Sequence, residues 1–257
     1  MQILETHTAI GIPDAAVFDF DGTLSKLRAG WEEVMGPLMC ELIPGERAEV
    51  EALVRRYIDE STGIQTIHQM RWLADEITRR GGTAADPWEY KDEYNRRLMV
   101  EVGRRRRAVT DGSEDAARYT VAGGKAFLSA LHGMGVKLYA ASGTDEDDVR
   151  AEAEALGFAE YFEEIAGAGH GTDRCSKEAV LRRLVKPGSK LLVVGDGKVE
   201  IALGREAGAV TLGMATNDVP GCDDPAYNMQ KFKRLQAAGA HAMAADFTER
   251  EELLSWI

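Results

Sequence analysis

The sequence predicts an α/β fold: a doubly wound parallel-sheet core with an inserted, all-helical second domain. Three observations carry this. Short apolar runs such as "LLVV" at 191–194 suit strands buried on both faces, as in a parallel sheet. Strand and helix signals alternate after about residue 120. Residues 28–107, by contrast, hold no convincing strand and four helix-like stretches in succession.

The strand signals fall at 15–20, 136–141, 164–166, 190–194, 209–213 and 242–244, those at 164–166 and 242–244 being faint. "TDED" at 144–147 is a capping pattern for the helix that Gly157 closes. Gly208 ends the helix "VEIALGREAG", and "TERE" at 248–251 opens the last one. The helical block reads as helices near 31–43, 46–60, 64–80 and 88–106, split by "IPGE", "STG" and "GGTAADP". The core is therefore expected at 1–27 and 108–257, with the insertion at 28–107. The charge run "RRRR" at 104–107 reads as a solvated helix end.

Composition narrows the function classes. With 44% apolar and 29% charged residues, the 257-residue chain reads as an ordinary globular protein. A formal net charge of −12 disfavours general nucleic-acid affinity, so an anionic substrate has to be attracted locally. Cys40, Cys175 and Cys222 form no CxxC pair, which points away from a disulfide framework or a zinc site. Neither a membrane-length apolar run nor a signal pattern is present, so the expected location is cytoplasmic and no membrane partner is expected.

In an open parallel sheet, ligands bind beyond the carboxyl ends of the strands. The first strand, in "AAVFDFDGTLSKL", delivers Asp19 and Asp21 there. The second delivers Ser142, Gly143 and Thr144, and the fourth signal delivers Asp196, with Glu200 one helical turn on. Lys177 lies at the helix start in "GTDRCSKEAV". Such a set suits phosphoryl transfer. One carboxylate attacks phosphorus, and a second moves protons to and from the oxygens involved. Mg²⁺, which prefers carboxylate oxygens, holds nucleophile and phosphoryl group together, and lysine and hydroxyl donors steady the transition state.

At this point the chain resembles the haloacid dehalogenase-like hydrolases, whose first motif is Asp-x-Asp-Gly-Thr. "VFDFDGTL" is similar to that motif, "LYAASGT" to the second, Lys177 to the third-motif lysine, and "LLVVGDGKVEI" to the fourth. The match covers 13–25 and about 120–257, in the family's order. The helical insertion resembles the C1-type cap of its phosphatase branch, which includes phosphoglycolate phosphatases and β-phosphoglucomutases on a Rossmann-like core. The resemblance implies Asp19 as nucleophile and metal ligand, and Asp21 as general acid/base with its carbonyl on Mg²⁺. It also implies Ser142 with the Gly143 and Thr144 amides as phosphate donors, Lys177 bridging phosphate and Asp19, and Asp196 completing the metal site. Glu200 stands where the family often has Asp, so it is given a supporting role at the metal. Lys26 and Arg28, after the first motif, are expected to meet a second anionic group.

The expected function is a Mg²⁺-dependent phosphatase acting on a small organic phosphate monoester, such as a sugar phosphate or similar metabolite, through an aspartyl-phosphate. The alternatives are a sugar phosphomutase of the β-phosphoglucomutase kind, or a non-catalytic phosphate-binding module. The expected partner is a small phosphorylated metabolite, with the protein a monomer or homodimer. Other motifs fail: "VAGGKAF" has Tyr119 where a P-loop needs Gly, and "GAGHGT" ends in Thr where GxGxxG needs Gly. His7, His68, His132, His170 and His241 show no metal spacing, and His68, beside Gln65 and Gln69, reads as a surface or packed residue before a substrate contact.

Overall fold

A computed structural model describes residues 1–5, 10–169 and 176–257. His7, His170, Cys175 and most of the loop before Lys177 lie outside the described residues. Among the described residues there are seven strands, β1 (Gln2–Ile3), β2 (Ala15–Phe18), β3 (Lys137–Asp145), β4 (Glu164–Ala168), β5 (Leu191–Gly195), β6 (Val210–Met214) and β7 (Ala242–Ala244). They form one sheet in the order β1-β7-β6-β5-β2-β3-β4, parallel except for β1. β1 is the strand that the sequence pattern misses. Two residues carry too little periodicity to register, and β1 exists only because it pairs with β7.

Side chains alternate across β2. Ala16 and Phe18 face a cluster built from helices α5 (Gly124–Gly133) and α6 (Glu146–Leu156). Ala15 and Val17 face α7 (Ser176–Leu184) and α8 (Lys198–Glu206), and α9 (Met229–Ala237) continues that layer over β6. Helices therefore cover both faces of the sheet. β2 lies between β3 and β5, with all four of its residues buried, which explains why its sequence is continuously apolar rather than alternating.

The insertion folds as α1 (Trp31–Leu42), α2 (Arg47–Ser61), α3 (Thr66–Arg79) and α4 (Pro87–Thr110). α1 packs on α2 and α4, and α3 packs on α4. Local chemistry starts these helices. The Asp86 carboxylate accepts from Trp88 N at 2.8 Å with Pro87 in the first turn, and Glu46 accepts from Glu49 N at 3.0 Å. α4 runs three residues past the expected edge at 107. Its arginine run is not wholly solvated: Arg105 donates to the carbonyls of Leu27 and Ala29, each at 2.8 Å, tying the helix to the chain leaving the first motif. Residues 144 and 145 extend β3, so Asp145 rather than Thr144 precedes α6. α10 (Arg250–Trp256) begins within "TERE", at its arginine. No helix among the described residues is long and apolar enough to cross a membrane.

Candidate active site

Register places the site. Phe18, the last paired residue of β2, lies level with Val194 of β5 and Ala140 of β3. The next residue, Asp19, still donates its amide to Val194 O at 2.9 Å, so its carboxylate is fixed at the sheet edge. Asp196 leaves β5 and Ser142 lies on β3 at the same edge. Gly22 then turns the chain at φ 76°, and a Cβ there would stand 2.2 Å from Asp196 Oδ2. The first-motif glycine is thus required both by backbone angle and by the approach of a carboxylate.

Three buried carboxylates converge: oxygens of Asp19, Asp196 and Glu200 lie within 4.8 Å of one another. Lys177 Nζ sits 3.1 Å from Asp19 Oδ2 and 2.7 Å from Glu200 Oε2, while Glu200 Oε1 accepts from Gly197 N at 2.5 Å. Burial pushes the Asp19 carboxyl well above the usual range, Lys177 pulls it back, and the charges of Glu200, Asp196 and Asp21 push it up again. Burial would lower the Lys177 ammonium, but Asp19 and Glu200 outweigh it and hold it above its ordinary value. The two directions agree physically, because one ammonium cannot balance two carboxylates. The donor set fits a hard divalent cation: it is all oxygen, buried and short of positive charge. Asp19, Asp196 and Glu200 are the residues that would hold it.

Asp21 is held from the other side. Its Oδ2 accepts from Thr144 Oγ1 at 2.8 Å and from Ser142 Oγ at 3.2 Å. Its buried Oδ1 has no hydrogen-bond partner among the described residues, with Arg28 Nε 3.8 Å away. Thr144 N donates to Ser142 Oγ at 3.0 Å. Thr144 thus binds Asp21 instead of capping α6, and Gly143 lies under the backbone of Ile64 and Gln65.

Two expected substrate contacts are corrected. Lys26 does not line the cavity; its Nζ donates to Cys222 O at 2.9 Å and lies 3.5 Å from Asp223, because a buried ammonium takes the nearest acceptors. Arg28 does line the cavity, but its guanidinium is spent on Glu152 (2.7, 3.1 and 3.2 Å) and Asp148 (3.3 Å). Complete burial pushes the Glu152 carboxyl up to about 7 even against Arg28.

The tertiary structure also brings in residues without a sequence motif. Lys231 Nζ lies 2.7 Å from Asp196 Oδ2 and 2.7–2.8 Å from both Asp218 oxygens, and donates to Thr216 Oγ1 at 2.9 Å. No spacing links 196, 216, 218 and 231; only the return of α9 to β6 does. Lys91 and Asn95, which also meet the cavity, were legible in principle as an i, i+4 polar pair on α4. His68 is exposed, with Arg71 Nη1 3.4 Å from its Nδ1, whereas Gln69 is buried and lines the cavity.

The cavity measures about 120 Å³ and is walled by Asp19, Asp21, Ser142 and Lys177 of the core and by the 62–64 loop, α3 and α4 of the insertion. A larger groove of about 960 Å³, between α1, α2 and the 218–234 region, adjoins it at Asp196 and Asp218. Insertion and core touch closely over the site. A Cβ on Gly63 would stand 3.2 Å from Gly197 Cα, and Lys198 Nζ donates to Glu60 O.

Comparisons with known proteins bear on the fold and the family. A phosphoglycolate phosphatase from Rhodospirillum rubrum is 26% identical over 212 residues, spanning 79% of this chain and 80% of that protein. A β-phosphoglucomutase from Clostridium difficile superposes with a TM-score of 0.64 at 12% identity, covering 95% of this chain and 96% of that one. A hydrolase from Pseudomonas syringae superposes at 0.59 with 19% identity, covering 95% and 99%. Residues 13–208 match the haloacid dehalogenase-like hydrolase family. With that match spanning the four motifs that meet at the carboxyl edge of β2, β3 and β5, the chain belongs to the haloacid dehalogenase-like hydrolases.

Proposed function

We propose that this hydrolase is a Mg²⁺-dependent phosphatase of a small organic phosphate monoester, such as a sugar phosphate or similar metabolite. The observation that carries the reading is the division of labour between the two first-motif aspartates. Asp19 is buried against Lys177 within a carboxylate triad, and Asp21 is held by two hydroxyls at the cavity wall. Two positions apart in sequence, these carboxylates lie in two different environments, one buried among groups that would hold a cation and orient a nucleophile, the other open to proton transfer at the cavity wall.

In this mechanism Asp19 Oδ attacks phosphorus, a P–O bond forms, and the bond to the leaving oxygen breaks. Asp21, protonated, gives its proton to that oxygen. Asp21, now a carboxylate, takes a proton from water, whose oxygen attacks phosphorus and releases Asp19 and inorganic phosphate. With substrate bound, Ser142 Oγ turns from Asp21 and the Thr144 amide from Ser142 Oγ, so that both join the Gly143 amide in donating to the equatorial oxygens, and Lys177 spans Asp19 and the phosphoryl group. Bound Mg²⁺ supplies charge neutralisation between the anionic nucleophile and the anionic ester. The helical insertion acts as a cap that shields the site from bulk solvent while leaving room for the one water that Asp21 activates. The 26% identical phosphoglycolate phosphatase supports a monoester as substrate.

The test is release of inorganic phosphate from a panel of sugar phosphates, nucleotides and phosphoglycolate with Mg²⁺. Release from at least one class is expected. Isomer interconversion without release would make the protein a mutase, and silence across the panel would remove the enzymatic reading.

A further inference from the structure

One stripe of α4 forms a wall of the cavity. Lys91, Tyr94, Asn95 and Leu98 stand at i, i+3, i+4 and i+7, and all four line it. Two of them grip one core carboxylate at the end of β3. Lys91 Nζ donates to Asp145 Oδ1, and Asn95 Nδ2 donates to Asp145 Oδ2 at 2.9 Å. The Lys91 side chain is only 6% exposed, whereas Asp145 keeps 28%, so the carboxylate can be reached from the cavity.

We propose that Lys91, Asn95 and Asp145 form the subsite for the leaving group, and that it takes an uncharged, hydroxylated group while disfavouring one that carries a carboxylate. The proposal rests on the phosphatase reading above and names the substrate class within it. The first argument is charge. Among the described residues three cations line the cavity, and each is already paired: Lys177 with Asp19 and Glu200, Arg28 with Glu152 and Asp148, Lys91 with Asp145. Five aspartates line it as well. A metal would offset the phosphoryl group near Asp19, which leaves no unpaired cation among the described residues for a second anion at the α4 wall. A carboxylate placed there meets Asp145 in a partly dehydrated site, where like charges repel far more than in water.

The second argument is hydrogen bonding. An alcohol donates one hydrogen bond and accepts others. Asp145 offers acceptor oxygens directly beside the Lys91 and Asn95 donors, so one hydroxyl can satisfy both polarities. Gln69 and Thr66 of α3 add an amide and a hydroxyl to the same cavity. Sites that hydrogen-bond a hydroxyl discriminate strongly against analogues that cannot return the bond.

Glycerol 3-phosphate and 3-phosphoglycerate test this, since they share a carbon count and differ at the terminal group, alcohol against carboxylate. The wild-type protein is expected to hydrolyse glycerol 3-phosphate with a kcat/KM about tenfold higher, the difference lying in KM. Asp145→Asn, which leaves Lys91 uncompensated, should move that ratio about tenfold toward 3-phosphoglycerate. Asn95→Leu should weaken glycerol 3-phosphate selectively, and covers the case in which the first variant does not fold. If both substrates fall by equal factors in the variants, the cluster only ties α4 to β3 and the proposal is wrong. A wild-type preference for 3-phosphoglycerate, or none, overturns it too. Titration of both esters into the Asp19→Asn protein reads the preference without turnover. Preference there in a protein with no activity removes the phosphatase reading but keeps the subsite; equal affinity removes the subsite whatever the activity.

Discussion

The charges of the sheet edge and those of the inserted helices obey opposite rules. On α2–α4 most arginines pair with a glutamate one turn away: Arg47 with Glu51, Arg79 and Arg80 with Glu76, Arg96 and Arg97 with Glu93, Arg104 and Arg105 with Glu101. Three of these pairs, on Arg47, Arg96 and Arg104, are exposed and the other four part-buried; all can be read from i, i+3 and i, i+4 spacing, and the exposed ones contribute little. At the sheet edge the partners lie far apart in sequence. Lys177 meets Asp19 and Glu200, Lys231 meets Asp196 and Asp218, and Arg28 meets Glu152, all of them largely or wholly buried. Buried groups lose hydration that only the right neighbours return, so removing one partner is costly. The helical block uses charge for solubility and local order, whereas the core concentrates it where chemistry needs it.

Substitutions that break this contrast should rank accordingly. Asp19→Asn should abolish turnover while the circular dichroism spectrum and melting profile remain those of a folded protein; full activity would displace Asp19 as nucleophile. Lys177→Met strands Asp19 and Glu200 without their cation. It should lower stability by about 3–5 kcal/mol in chemical denaturation, and remove activity as well. Added Mg²⁺ should restore part of that stability, since the metal binds the same carboxylates. Chelation of the wild-type protein should abolish activity, and saturating Mg²⁺ should stabilise the fold by about 1–3 kcal/mol in thermal melts. The Mg²⁺ shift should vanish in Asp196→Asn, so an unchanged shift there would misplace the metal.

Arg28→Lys is a subtler change. It keeps the charge but loses the planar fork on Glu152, and with it the guanidinium beside Asp21. A fall of about ten- to a hundredfold in kcat with KM nearly unchanged is expected, because a small displacement of the proton carrier suffices. At the bottom of the scale, Arg96→Ala on the exposed face of α4 should leave both activity and melting temperature unmoved. A clear loss there would blur the distinction between the two regions.

The sequence by itself determined much of this protein. The apolar runs located all the parallel strands, because a strand covered on both faces has no polar side to show. Turn signals and 3.6-residue periodicity located the four inserted helices within a few residues. The order Asp19, Asp21, Ser142, Lys177, Asp196 also marked the sheet edge, since strand ends are where a parallel sheet must deliver its ligands. Tertiary structure decided the rest. It put Arg28 onto Glu152 and Lys26 onto Cys222 O, and it set Lys231 against Asp196 and Lys91 against Asp145. A buried charge takes whichever partner the packing of distant elements brings within reach, and one-dimensional spacing does not encode that distance.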